Sequence, residues 1–123
     1  MSAVAETIST NVVEEIPDYE TLIQTVKENP RVIVDFYAPW CKPCKRIMPE
    51  YEKMAGDFTE GKFVKVNIEE LDDEELEHLN IAKFPTFVFT KSRLTDGKIE
   101  KMRYQGSVAE ELREQISTYL GAC

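Results

Sequence analysis

Basic residues are in deficit in this chain: fifteen lysines and arginines stand against twenty-three aspartates and glutamates, a net charge of −8. Binding driven by phosphate neutralisation is therefore excluded as a main activity, so no nucleic acid partner is expected. Cysteine is also scarce. Three in 123 residues are too few for a secreted disulfide scaffold, and the odd count leaves one unpaired. No apolar run approaches the length of a membrane span. The first residues, MSAVAETISTNVVEE, lack the basic and apolar regions of a signal peptide, and they are acidic where a mitochondrial transit peptide would be Arg-rich. The last residues, Gly121-Ala122-Cys123, form no retention signal, and Cys123 is not placed for prenylation. The expected location is cytoplasmic.

What is present is ordinary globular chemistry. The 42% hydrophobic content suffices for one core, and 123 residues fit a single domain. Residues 1–10 carry no period and read as a flexible N-terminal arm, leaving 11–123 as the domain. Val12-Val13 opens a short strand on this reading, and Pro17-Asp18 starts a helix with Tyr19, Leu22, Ile23 and Val26 on one face. Asn29-Pro30 ends it. The nearly continuous run Val32–Ala38 reads as a central strand covered on both sides.

A helix follows with Cys44, Ile47, Met48, Tyr51, Met54 and Ala55 on one face and Pro49 inside it. Phe63–Ile68 is a further strand, and Leu71, Leu76 and Leu79 outline a helix among acidic residues. Thr86–Thr90 and Ile99–Tyr104 flank an Asp96-Gly97 turn as antiparallel partners. In the last helix Ser107 and Glu110 have capping-box spacing, and Val108, Leu112, Ile116, Tyr119 and Leu120 form its stripe. The order βαβαβαββα implies an α/β fold with a mixed sheet of about five strands flanked by about four helices.

The chemistry centres on Cys41-Lys42-Pro43-Cys44. Two cysteines three positions apart at a helix start can close a small disulfide ring, and the helix N-terminus favours the thiolate of the first. That asymmetry suits thiol–disulfide exchange, with Cys41 attacking and Cys44 resolving. The alternative is half of a zinc site, for which only His78 and Cys123 remain as further ligands. Asp35 stands apart as a carboxylate inside an apolar strand. Burial there would raise its pKa toward neutrality, where it could exchange protons.

The segment Val34-Asp35-Phe36-Tyr37-Ala38-Pro39-Trp40-Cys41-Lys42-Pro43-Cys44-Lys45 resembles the active-site segment of the thioredoxin family. The likeness continues through Pro49, Lys65-Val66-Asn67-Ile68, Phe84-Pro85-Thr86 and Gly106, and covers about residues 12–120. The resemblance implies a thioredoxin fold and a dithiol protein-disulfide reductase without bound cofactor or metal. Electrons would arrive from an NADPH-dependent thioredoxin reductase and leave to oxidised proteins such as peroxiredoxins, with the chain acting as a monomer. It further implies that Asp35 accepts the proton of Cys44 with Lys65 nearby, and that Pro85 is a cis-proline. By the same resemblance Trp40, Lys42, Pro43, Phe84, Gly106 and Ser107 surround a groove for an extended partner segment. The reading of Asp35 as a buried structural acid paired with Lys65 stays open, as does core packing for Phe84.

Three features depart from the commonest family pattern: Lys42 in place of glycine, Tyr37 in place of tryptophan, and a longer Lys91–Lys98 loop. Parts of the sequence also resemble protein disulfide isomerase domains, but Pro43 and Asp35 favour the reductase. A non-catalytic interaction subunit is the other alternative. Cys123 reads as a reduced tail thiol, with an intermolecular disulfide or a regulatory oxidation site as the sharper possibility.

Overall fold

The computed structural model describes residues 11–93 and 95–121, so the arm read over 1–10 and the thiol of Cys123 lie outside the described residues. The chain runs β1 (Glu14–Ile16), α1 (Tyr19–Glu28), β2 (Arg31–Tyr37), α2 (Lys42–Asp57), β3 (Lys62–Asn67), a 3₁₀ turn (Ile68–Glu70), α3 (Asp73–Leu79), β4 (Thr86–Ser92), β5 (Ile99–Gln105) and α4 (Ala109–Gly121). The strands form one sheet in the order β1-β3-β2-β4-β5. β3 is parallel to both β1 and β2, while β4 is antiparallel to β2 and to β5.

Local chemistry accounts for the boundaries. The Asp18 carboxylate caps α1 by accepting the Thr21 N–H at 2.8 Å. At its other end Asn29 is extended ahead of Pro30, as the proline requires. Five consecutive residues of β2, Val32 to Phe36, are buried, so the strand is covered on both faces. Val32, Val34 and Phe36 pack with Leu22, Val64 and Val66 on the α1–α3 side. Ile33 packs with Phe63, Phe87 and Phe89 against Tyr51, Met54, Leu112 and Ile116 on the α2–α4 side. Each such apolar side chain contributes roughly 1.5–3 kcal/mol by burial. By strand alternation Asp35 points to the α2–α4 side.

Four expectations are corrected. The first strand begins at Glu14, not Val12, which is 64% exposed. The preceding Asn11 amide instead donates to the carbonyls of Ala55, Phe58 and Gly61, which holds this segment over the end of α2. Leu71 is buried but extended rather than helical, because Asp72 starts α3 through a reciprocal capping box with Glu75. The last helix begins at Ala109, so Ser107 lies before its cap position, and the Tyr104 hydroxyl takes the Val108 N–H at 3.4 Å. Val108 is half exposed and leaves the apolar stripe, whose other members are buried. Finally, β4 continues to Ser92, which shortens the connection to residues 93–98.

Candidate active site

Cys41 is the cap residue of α2, and Pro43 sits in its first turn, where a missing N–H costs nothing. The Cys44 N–H donates to the Cys41 sulfur at 3.2 Å, and the two cysteines form a disulfide with their Cα atoms 5.3 Å apart. In the reduced state the same N–H and the helix N-terminus would stabilise a Cys41 thiolate. Both sulfur residues are buried, Cys41 at 6% exposure and Cys44 at 2%, so the first retains slightly more access. Lys42 between them is exposed.

Of the residues read as lining a groove, Phe84 packs against the cluster that holds Cys41 and Cys44. Trp40 is 61% exposed and meets the half-buried Phe84 edge to face, with centroids 5.8 Å apart. The Phe84–Pro85 peptide bond is cis, as expected from the resemblance. The Thr86 hydroxyl closes this loop onto the Lys83 carbonyl at 2.5 Å. The Gly106 N–H reaches the Pro85 carbonyl at 3.4 Å, which brings the end of β5 to the same loop. Ser107 follows, half-buried, with no capping role.

Asp35 is fully buried, and neither carboxylate oxygen has a hydrogen-bond partner among the described residues. Burial pushes its pKa from 3.8 to about 8; the Lys65 ammonium pulls it down and the Glu15 carboxylate adds to the rise. Asp35 and Lys65 are register partners on β2 and β3, yet the Lys65 ammonium pairs with Glu15 at 3.8 Å. The expected neighbourhood is thus present, but the ion pair of the structural reading is not. Glu15, Lys65, Asp35, Phe87 and Tyr104 form one row across all five strands.

Several contributors escaped the sequence reading. Tyr51 is fully buried and its hydroxyl lies 3.0 Å from the Ile33 carbonyl and 2.8 Å from that of Val64, so it bridges β2 and β3 beneath α2. Its helical spacing marked it as core, but nothing marked the destination of its hydroxyl. Tyr37 donates to the Glu15 carboxylate at 2.9 Å and lies under the Lys65 ammonium, 5.8 Å from its ring centre. Among the described residues, which leave out Cys123, no group of three or more His, Cys, Asp or Glu side chains could hold a metal. His78 is exposed and stands edge-on to Tyr19. No helix among the described residues is long and apolar enough to cross a membrane.

The comparisons with known proteins agree with this geometry. The family model described as Thioredoxin matches residues 10–118. The chain is 36% identical over 105 residues to thioredoxin-1 of Caenorhabditis elegans, covering 85% of each chain. It is 30% identical over 105 residues to a peptide-N(4)-(N-acetyl-beta-glucosaminyl)asparagine amidase of the same organism, of which it spans only 17%. A solved structure of Plasmodium falciparum thioredoxin superposes with a TM-score of 0.77 at 34% identity, over 87% of this chain and 99% of that one.

Proposed function

Because the chain belongs to the thioredoxin family, we propose that it is a protein-disulfide reductase working through the Cys41–Cys44 pair. The observation that carries this reading is the Cys44 N–H on the Cys41 sulfur at the start of α2. The reduced Cys41 thiolate attacks one sulfur of a substrate disulfide. That bond breaks, one substrate sulfur leaves as a thiolate, and the other is held in a mixed disulfide with Cys41. Cys44 then loses its proton and attacks the Cys41 sulfur, which releases the second substrate thiolate and leaves the Cys41–Cys44 disulfide. Two electrons pass to the substrate, and no bound cofactor takes part.

Asp35 supplies the acceptor for the Cys44 proton in this scheme. Its burial on the α2 side and a pKa of about 8 support that role, since a base works best near its operating pH. Trp40, Phe84, Pro85, Gly106 and Ser107 receive the partner segment, and Lys42 and Pro43 border it. An NADPH-dependent thioredoxin reductase would restore the dithiol, and peroxiredoxins are a fitting class of oxidised partner. The cysteine usage supports a reducing compartment, the cytoplasm.

Insulin reduction with NADPH and thioredoxin reductase tests the reading. Turnover is expected with the native chain and none with Cys41→Ser. Cys44→Ser should instead accumulate a mixed disulfide on Cys41, visible by mass spectrometry. A covalent partner on any other residue, or no partner at all, overturns the assignment of the two thiols.

A further inference from the structure

We propose that Glu15 is a positioning residue: it anchors the Lys65 ammonium over the outer side of the Tyr37 ring and so withholds it from Asp35. The arrangement rests on four contacts. Glu15 and Lys65 are register partners on β1 and β3 and pair at 3.8 Å. The Tyr37 hydroxyl lies 2.9 Å from both Glu15 oxygens, which fixes the carboxylate from the β2 side. The Lys65 ammonium lies 5.8 Å from the Tyr37 ring centre, a cation–π distance. Asp35, the register partner of Lys65 on its other side, has no partner for either oxygen among the described residues.

Lysine carries a compact charge on a flexible stem, so one ammonium can serve either of two flanking carboxylates. Here it serves the outer one. The hydroxyl of Tyr37 favours that choice, because a carboxylate already held by a donor is a preorganised anchor. The charged and titratable groups around Asp35 are Lys65 from β3, Glu15 from β1 and Tyr51 from α2, with Tyr37 further along β2; β4 contributes the uncharged Phe87. Glu15 acts on Asp35 twice with the same sign. Its own charge opposes ionisation of Asp35, and its hold on Lys65 keeps that cation, which favours ionisation, from closer contact with Asp35. Asp35 therefore keeps its proton to higher pH, and its ionised form is the stronger base. The meaning for catalysis rests on the disulfide-reductase reading; the positioning itself does not.

The experiment is a carbon-13 NMR titration of the Asp35 carboxyl in the oxidised chain, with no substrate present. Glu15 is exposed on a surface strand, so Glu15→Gln is expected to fold normally. Its Asp35 midpoint should fall by about 1 pH unit or more, beyond the roughly 0.3 to 0.5 unit that losing one charge two strands away gives directly at high dielectric. Lys65→Met should raise the midpoint. In the Lys65→Met background, Glu15→Gln should give less than half of its single-variant shift, because the indirect route through the lysine is gone. A midpoint that stays or rises in Glu15→Gln overturns the proposal. So does a full-sized shift in the Lys65→Met background, which would leave only a direct field effect. The pH–rate profile of disulfide reduction, recorded separately, should move with the NMR midpoint. A profile that stays put while the midpoint moves would refute the catalytic use of Asp35 and leave the positioning by Glu15 intact.

Discussion

Gly106 donates its backbone N–H to the carbonyl of Pro85 at 3.4 Å, tying the end of β5 to the cis-proline loop. Gly106 has φ +149°, a conformation that side chains rarely adopt, and a Cβ there would stand 2.8 Å from the Tyr104 hydroxyl oxygen. Gly106→Ala should cost about 1–3 kcal/mol. It should also displace Tyr104 from Glu111, which its hydroxyl meets at 2.8 Å. Urea denaturation measures the loss. On the proposed groove, the KM for insulin should rise while reduction of a small disulfide reagent changes little, since only an extended partner would reach this loop.

Asp35→Asn should change how stability depends on pH. The folded carboxyl titrates near 8 and the unfolded one near 3.8, so the folded chain holds a proton that the unfolded chain releases. Native stability consequently declines as pH rises from about 4 to about 8 and levels off above. The asparagine has no such proton, so its advantage grows through this window, on the order of 4 kcal/mol by pH 7. Lys65 is not stranded, because Glu15 already holds it. Denaturation of both forms from pH 4 to 8 checks this, and parallel curves would contradict the burial. Disulfide reduction by Asp35→Asn should be slower near neutrality.

Lys42→Gly should make the pair slightly more reducing. An ammonium roughly 7 Å from a thiolate in water contributes about 0.6 kcal/mol to the reduced form. For a two-electron couple this is about 13 mV. Lys42 is exposed, so high salt should erase most of the difference. Redox titration against glutathione at two ionic strengths decides; a shift several times larger would point to helix geometry instead.

Tyr51→Phe keeps the buried ring and removes the hydroxyl between the Ile33 and Val64 carbonyls. No cavity of consequence forms, so the cost should be that of one buried hydrogen bond, about 1–2 kcal/mol. A melting temperature equal to that of the native chain would mean that the sheet ladder alone satisfies both carbonyls.

Much of this architecture was legible because the signals are local. The apolar run of β2, the Asp18 cap and the Asn29-Pro30 stop each act within a few residues. The Cys41–Cys44 spacing likewise carries its own geometry. Errors arose where another group, whether a few residues away or on a distant strand, overrode the pattern. Ser107 and Glu110 have capping-box spacing, but the Tyr104 hydroxyl occupies the Val108 N–H and the helix starts later. Leu71 fits a helical period, yet Asp72 and Glu75 cap one residue beyond it. The Asp35–Lys65 relationship needed the strand order: nothing near Glu15 in sequence says that β1 lies beside β3 and can take the lysine. The cis bond at Pro85 is not legible from a single X–Pro step, since only about 5–6% of such bonds are cis in folded proteins.

The strand order also governs when the thiols become sheltered as the chain is made. Val32 pairs with Lys62 on one side and with Thr90 on the other, 30 and 58 positions downstream. Cys41 and Cys44 are therefore synthesised long before the central strand that precedes them has either neighbour. Contacts so remote in sequence close late, because loop entropy must be overcome first. Until Thr90 has been made, the strand that leads into Cys41 and Cys44 lacks its second neighbour. The apolar cluster that holds both cysteines draws on Ile16, Leu22 and Val32 before them and on Val66, Ile68 and Ile81 after them, so it closes only when both stretches of the chain are present.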